Sequence, residues 1–454
     1  MIGEPTSSPD GRANNAREAG GRRSISTSKT VRLSLAALSL VVVALAGSVG
    51  ASASRSAGTL NVAVIAPFSG PAANLGKFIS LSCYAAAEEV NKAGGILGNQ
   101  FGCTPVDDTG DPADAVPAVT RALATSNISM ATGLETNTAA VTVPLVNNAQ
   151  VPFFTANGLP AFDKTTDAYF WRIVPSDAQN GAAYAVWAKI KKYKSAAVIL
   201  QTNAGNDTAE PGILRALKNL GIKLAIKVDL PGDAASYASV VAKVIKAKPQ
   251  VIITADDSQT AATFFSQYKQ LNNGKVPPLI TATDSLTPDY FNALQKVLGT
   301  AFVSTNISLV GYHVNPSSAA FAGYKDGLTS SSHVSPSDVP VVTGIGVIAA
   351  LYDGDIVMSL AMNAANSTSG PVWNKFIATV TAPGKTKVVV HTYAEGLAAL
   401  KAKKQIDYVG TGGQIHFNKY HNSAGNFSAT GFNADGSPRL LSVFGGGLIA
   451  NALK

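Results

Sequence analysis

Short polar clusters close the apolar, β-rich runs of this chain, and they carry most of its side chains suited to holding a solute. Ser69-Gly70 follow LNVAVIAPF (60–68), Glu135-Thr136-Asn137-Thr138 follow ISMATG (128–133), and Thr155-Ala156-Asn157-Gly158 end VPFFTANG (151–158). Further on stand Asn203-Ala204-Gly205-Asn206-Asp207, Asp256-Asp257-Ser258 and Thr283-Asp284-Ser285. Hydroxyls, amides and helix-start N–H groups dominate the first three clusters, which suits a carboxylate or another acceptor. Carboxylates dominate the last three, which suits an ammonium, amide or hydroxyl donor. Asp, Asn, Ser and Thr are also ordinary helix caps and turn residues, so each position has an architectural reading beside the functional one.

Catalytic patterns are absent. The chain has no G-x-S-x-G, no H-E-x-x-H and no P-loop. Its five histidines, His313, His333, His391, His416 and His421, lie outside the strand ends. The acids Asp107, Asp108, Asp111 and Asp114 lack the glycine and distal glutamate of a calcium loop, and Asp111-Pro112 reads better as the cap and first turn of a helix. Cys83 and Cys103 without a nearby histidine do not make a zinc set. They are a disulfide candidate if the chain is exported, with two free buried thiols as the alternative. No catalytic residue, metal or cofactor is expected.

The elements that place these clusters alternate. LNVAVIAPF reads as a buried strand, and Leu75, Ile79, Cys83, Ala86 and Val90 then share one face of a helix ended by Gly94-Gly95. FGCTPVDD (101–108) contains Pro105, which donates no ladder hydrogen bond and therefore marks an edge strand. From about 195 a second cycle begins, with SAAVILQT, PGILRALKNLG, IKLAIKVDL, SYASVVAKVIKAK and PQVIITAD in strict strand–helix alternation. The pattern predicts an α/β fold of two doubly wound parallel-sheet lobes, with helices on both faces of each sheet. Such sheets bind ligands beyond the carboxyl ends of their strands, where the polar clusters stand.

Composition agrees with a packed, exported protein. Of the 454 residues 46% are hydrophobic and 14% charged, and the formal charge is +8. Residues 1–57 hold seven Lys/Arg and three acids, so the remainder carries 29 basic against 25 acidic side chains, or +4. That thin excess does not describe a nucleic-acid surface. The first 57 residues read as a signal segment: an Arg-containing stretch, the apolar run LSLAALSLVVVALAG (33–47), then A-S-A at 51–53 as the cleavage site. An uncleaved signal anchor is the alternative, and no cysteine near the cleavage region offers a lipoprotein anchor.

The segment IAPFSGPAANLGKFISLSCYAAAEEVNKAGGILG (65–98) resembles the type I periplasmic binding proteins of the Leu/Ile/Val-binding-protein-like branch. DDTGDPADAV, YFWRIVPSDAQNG, KPQVIITADDSQTAATFFSQY and GTGGQIHFN extend the resemblance from about 59 to 454. It implies three interlobe crossovers, with 59–175 plus 306–436 in lobe one and 176–305 plus 437–454 in lobe two. It also implies an extracytoplasmic solute-binding protein of an ABC importer, partnered by permease subunits and by an amino acid or similar small polar ligand. Thr136 stands where the family's hydroxyl holds a ligand carboxylate, Asn157 and Gly158 where backbone groups assist, and Asp284 where an acid meets the ammonium. Ser69, Asn137, Asn206 and Asp257 complete the expected ligand-binding set. Leu75, Ala204 and Asp257 or Ser258 stand where the family has aromatic residues. The ligand therefore stays open among branched-chain or more polar amino acids, an amide such as urea, and other small polar solutes. A sensor feeding a signalling receptor and a secreted enzyme on the same fold are the other two classes.

Overall fold

The structure is a computed structural model, and it describes residues 58–70, 73–133 and 136–454. The expected signal segment (1–57) lies outside the described residues, as does Glu135. Strands β1 (Thr59–Ala66), β2 (Gln100–Asp107), β3 (Ile128–Gly133), β4 (Phe153–Thr155) and β5 (Phe170–Arg172) form a parallel sheet ordered β2-β1-β3-β4-β5. Pro105 does fall on the edge strand, opposite Val64. In β1, Val62, Val64 and Ala66 point into one core while Ala63 and Ile65 point into another, so helices cover both faces.

The second sheet continues the theme. Strands β6 (Ser195–Gln201), β7 (Lys223–Leu230), β8 (Val251–Ala255), β9 (Leu279–Ala282) and β10 (Ile307–Tyr312) pair in parallel. Ala196, Val198 and Leu200 of β6 enter one core and Ala197 and Ile199 the other. A small third sheet of β11 (Val388–Val390), β12 (Ile406–Gly410) and β13 (Gly413–Gln414) packs into the core of lobe one. Finally β14 (Phe427–Phe432) and β15 (Pro438–Phe444) add antiparallel strands to β10, giving the order β15-β14-β10-β9-β8-β6-β7.

Two boundaries differ from expectation. The stretch 302–311 reads as an extended connector, but its first half is the end of helix Thr300–Asn306 and its second half is β10. Because β10 pairs with β9, the chain returns to lobe one after Tyr312 rather than near 305. Because β14 pairs with β10, the last crossing falls between Ser423 and Phe427 rather than near 437. ISLVGY is almost wholly buried, which is how a central strand reads, and the nearby polar turn residues masked it.

The three crossovers bond to one another. The Arg172 N–H donates to the His421 carbonyl (2.9 Å), and Ser423 N–H donates to the Arg172 carbonyl (2.8 Å). On the other side His313 N–H donates to the Asn426 carbonyl (2.9 Å). The last crossover thus runs between the first two. Helix Gly346–Ala365 is long and apolar enough to cross a membrane by length and composition alone. It is the core helix of lobe one, with Leu351, Ile356 and Leu360 fully buried. Each such side chain contributes about 1.5–3 kcal/mol by leaving water.

The two cysteines are joined. Cys83 on helix Ala73–Lys92 and Cys103 on β2 have Cα atoms 6.1 Å apart, and the bond fastens the helix to the edge strand.

Candidate functional site

Both sheets aim the carboxyl ends of their strands at one cleft of about 420 Å³. That size suits a small solute. Lobe one contributes Leu75, Thr136, Asn137 and Ala156, and the first crossover leads into Asp177, Asn180 and Tyr184 on helix Asp177–Ile190. Lobe two contributes the ends of β6, β8 and β9, including Asn206, Asp256, Asp257 and Asp284, and Tyr312 closes β10.

Of the expected ligand set, Thr136, Asn137, Asn206, Asp257 and Asp284 line the cleft. Ser69 does not: it is exposed, and its N–H donates to Asp107 on the edge strand (3.3 Å). Asn157 is also absent from the wall. It is fully buried, its amide donates to Thr155 Oγ1 (3.0 Å), and its side-chain oxygen accepts from Leu159 N–H (3.2 Å). Asn157 therefore builds the turn after β4. Gly158 lies just behind the wall, with its N–H donating to Thr136 Oγ1 (3.2 Å).

Local architecture engages several of these side chains. Asp257 caps helix Ser258–Leu271, its carboxylate accepting from Gln259 N–H (2.9 Å) and Thr260 N–H (2.8 Å). Asn206 spends its amide on the carbonyls of Gln201 (2.7 Å) and Ala255 (2.9 Å), tying the ends of β6 and β8. Asp284 is different. It sits in the turn Thr283–Ser285 after β9, open to the cleft, and no hydrogen bond or counter-ion among the described residues holds its carboxylate. Protein packed around it raises its pKa above the usual carboxylate value.

Asp177 and Tyr184 are the residues sequence reasoning missed. Helices Asp177–Ile190 and Ala204–Asn219 touch closely: a Cβ at Gly181 would stand 2.1 Å from the Ala209 carbonyl oxygen, and one at Gly212 2.0 Å from that of Ala178. This packing brings Thr208 to Asp177, whose carboxylate accepts its hydroxyl (2.6 Å). The same carboxylate lies over Gly158, where an added Cβ would be 1.7 Å from Oδ1. Burial pushes Asp177 up to about 6, with Thr208 and Arg172 opposing and Asp284 adding to the rise. Asp256 is pushed up to about 7 by burial, although Thr254 (2.8 Å) and Tyr290 (3.3 Å) donate to it. Tyr184 is buried, and its phenol is raised by burial and by the charges of Asp284 and Asp177. Its place on a helix packed into a core hid it, while Asp177 ends RIVPSD (172–177), a stretch that reads as an extended connector between lobes. Tyr184 and Tyr312 also restore aromatic surface to a cleft from which the expected positions lack it.

Two α/β lobes, three crossovers and a strand-end cleft define a type I periplasmic binding protein. Residues 59–322 match the family described as periplasmic binding protein, and the chain belongs to it. Leu/Ile/Val-binding protein homolog 3 of Brucella melitensis is 30% identical over 217 residues, covering 46% of this chain and 57% of the relative. The leucine-, isoleucine-, valine-, threonine- and alanine-binding protein of Pseudomonas aeruginosa is 25% identical over 225 residues, covering 47% and 58%. The matched stretch thus spans little more than half of these curated relatives. The leucine binding protein of Thermotoga maritima superposes with a TM-score of 0.66 at 15% identity, over 85% of this chain and 99% of its own. A solute binding protein of an R. palustris ABC transporter, solved with benzoate, gives 0.64 at 15% identity, over 85% and 96%.

Proposed function

We propose that the protein is the extracytoplasmic solute-binding component of an ABC importer, exported by the signal segment and capturing an amino acid or similar small polar solute between its lobes. One observation carries this reading: a single cleft receives the strand ends of both sheets, so a solute within it touches both lobes at once. Binding that bridges two lobes favours their closure by its differential contacts with the closed state. In this reading Asp284 receives an ammonium or other donor, and the Thr136 hydroxyl, which accepts from Gly158, still has its proton to donate. The protein holds its solute unchanged and passes it to permease subunits.

The membership of the family and the likeness to transporter-derived solute binding proteins support transport over a sensing role. A thermal-shift panel of amino acids, amides, ureas, sugars and small acids tests the reading. A true ligand at 100 times its dissociation constant stabilises by about 2.7 kcal/mol. Conversion of a bound solute to a product would overturn it, as would vesicles carrying the importer that take up no solute when the protein is added.

A further inference from the structure

The cleft is electrically one-sided. Asp177, Asp256, Asp257 and Asp284 line it, and no lysine, arginine or histidine is among the described lining residues. Arg172, the cation that acts on Asp177, is not among the lining residues and is paired with Asp163. The strand end at which a ligand carboxylate would dock is already taken, since Gly158 N–H is committed to Thr136 and the Asp177 carboxylate covers Gly158. A second carboxylate there would face Asp177, with Arg172 already paired to Asp163. Meanwhile the Asp284 carboxylate and the buried Tyr184 hydroxyl have no hydrogen-bond partner among the described residues, although each interacts electrostatically with the other. Among the described residues no three acidic or histidine groups converge to hold a metal ion. The negative charge is therefore spread for an extended organic partner.

We propose that the cleft selects a net-cationic solute with two or more nitrogen donors and no free carboxylate, of the diamine or alkylguanidine class. This rests on the cleft being the ligand site proposed above. One donor end lies against Asp177, Asp284 and Tyr184, and the other against Asp256, while Asp257 contributes charge and remains occupied as a helix cap.

The titration of these groups supports the assignment. Asp177 is faced by Arg172, Asp284, Asn180 and Thr208; Asp256 by Asp257, Tyr290 and Thr254; Asp284 by Asp177 and Tyr184. Apart from Arg172, none supplies a positive charge. Burial leaves Asp177 at about 6 and Asp256 at about 7, so a bound cation displaces protons and its affinity falls as acid restores them.

The test is calorimetric titration of the mature protein at pH 8 with matched pairs: arginine against agmatine, lysine against pentane-1,5-diamine, leucine against 3-methylbutylamine, with urea and benzoate alongside. At least one diamine or guanidine is expected to bind at least tenfold tighter than its amino acid, and to weaken at least tenfold at pH 5.5. Asp284→Asn, which breaks no hydrogen bond or ion pair among the described residues, is expected to loosen that amine at least tenfold. Asp177→Asn is expected to narrow the gap between arginine and agmatine. An amino acid that matches or exceeds its amine, or binding of benzoate or urea alone, overturns the cationic assignment and leaves the solute-binding reading standing. Failure of every probe, together with the absence of transport by importer vesicles, overturns both.

Discussion

Asp284 and Gly158 show how much a single position in this cleft can decide. Asp284 has no hydrogen-bond or ion-pair partner among the described residues, so Asp284→Ala should leave the melting temperature of the ligand-free protein nearly unchanged while abolishing the thermal shift given by an amino-bearing ligand. An unchanged affinity would remove it from the site. Gly158→Ala should behave in the opposite manner. Its Cβ would press into the Asp177 carboxylate, so unfolding by denaturant should show a loss of about 1–3 kcal/mol, with weaker binding as well. Thr136 and Asp284 were legible because strand-end polar residues in a doubly wound fold face the crevice. Asp177 and Tyr184 were not, because their place depends on how two helices cross, and no local pattern encodes that crossing. The Asn157 side chain shows a limit of the strand-end rule, since it ends a strand yet bonds within its own turn, to Thr155 and Leu159.

At the level of elements, local chemistry was a good guide. Asp111 caps helix Pro112–Thr125 by accepting from Ala113 N–H (2.8 Å), as the Asp-Pro pair implies. The periodic face of helix Ala73–Lys92 enters the lobe-one core, and Cys83 on that face meets Cys103 on β2. Replacing both cysteines by serine should cost about 3 kcal/mol in the chain-entropy account of a loop this long, measurable as a lower denaturation midpoint. A midpoint unchanged by the substitution would show that helix and edge strand hold together through packing alone. Strand β10 was the element the sequence concealed. Its burial is that of a central strand, but the partner that makes it central, β14, arrives more than a hundred residues later.

For the whole molecule, buried and half-buried carboxyls couple folding to pH. Burial raises Asp177 to about 6 and both Asp256 and Asp353 to about 7, against about 3.9 for an aspartate in an unfolded chain. Between about pH 4 and pH 7 the native state therefore holds more protons than the unfolded state, and stability falls as pH rises through that window. The ligand-free protein should melt at a higher temperature at pH 5 than at pH 8, by differential scanning calorimetry. A melting temperature that rises with pH would show these groups to be ionised and compensated in the native state.

The crossover arrangement also bears on how the chain comes to exist. Lobe two is closed by β14 and β15, and helix Gly446–Ala452 packs on helix Asp177–Ile190 at its far side. Until those last segments are made, β10 has an open flank and the central sheet a hydrogen-bonding edge of the kind that invites aggregation. Native pairing at such sequence separation is slow, because the long intervening loop must close first. Lobe one suffers the same delay, since its core helix Gly346–Ala365 belongs to the second visit of the chain. Neither lobe is thus a finished folding unit after the chain's first visit, and each becomes whole only once its later segments are made.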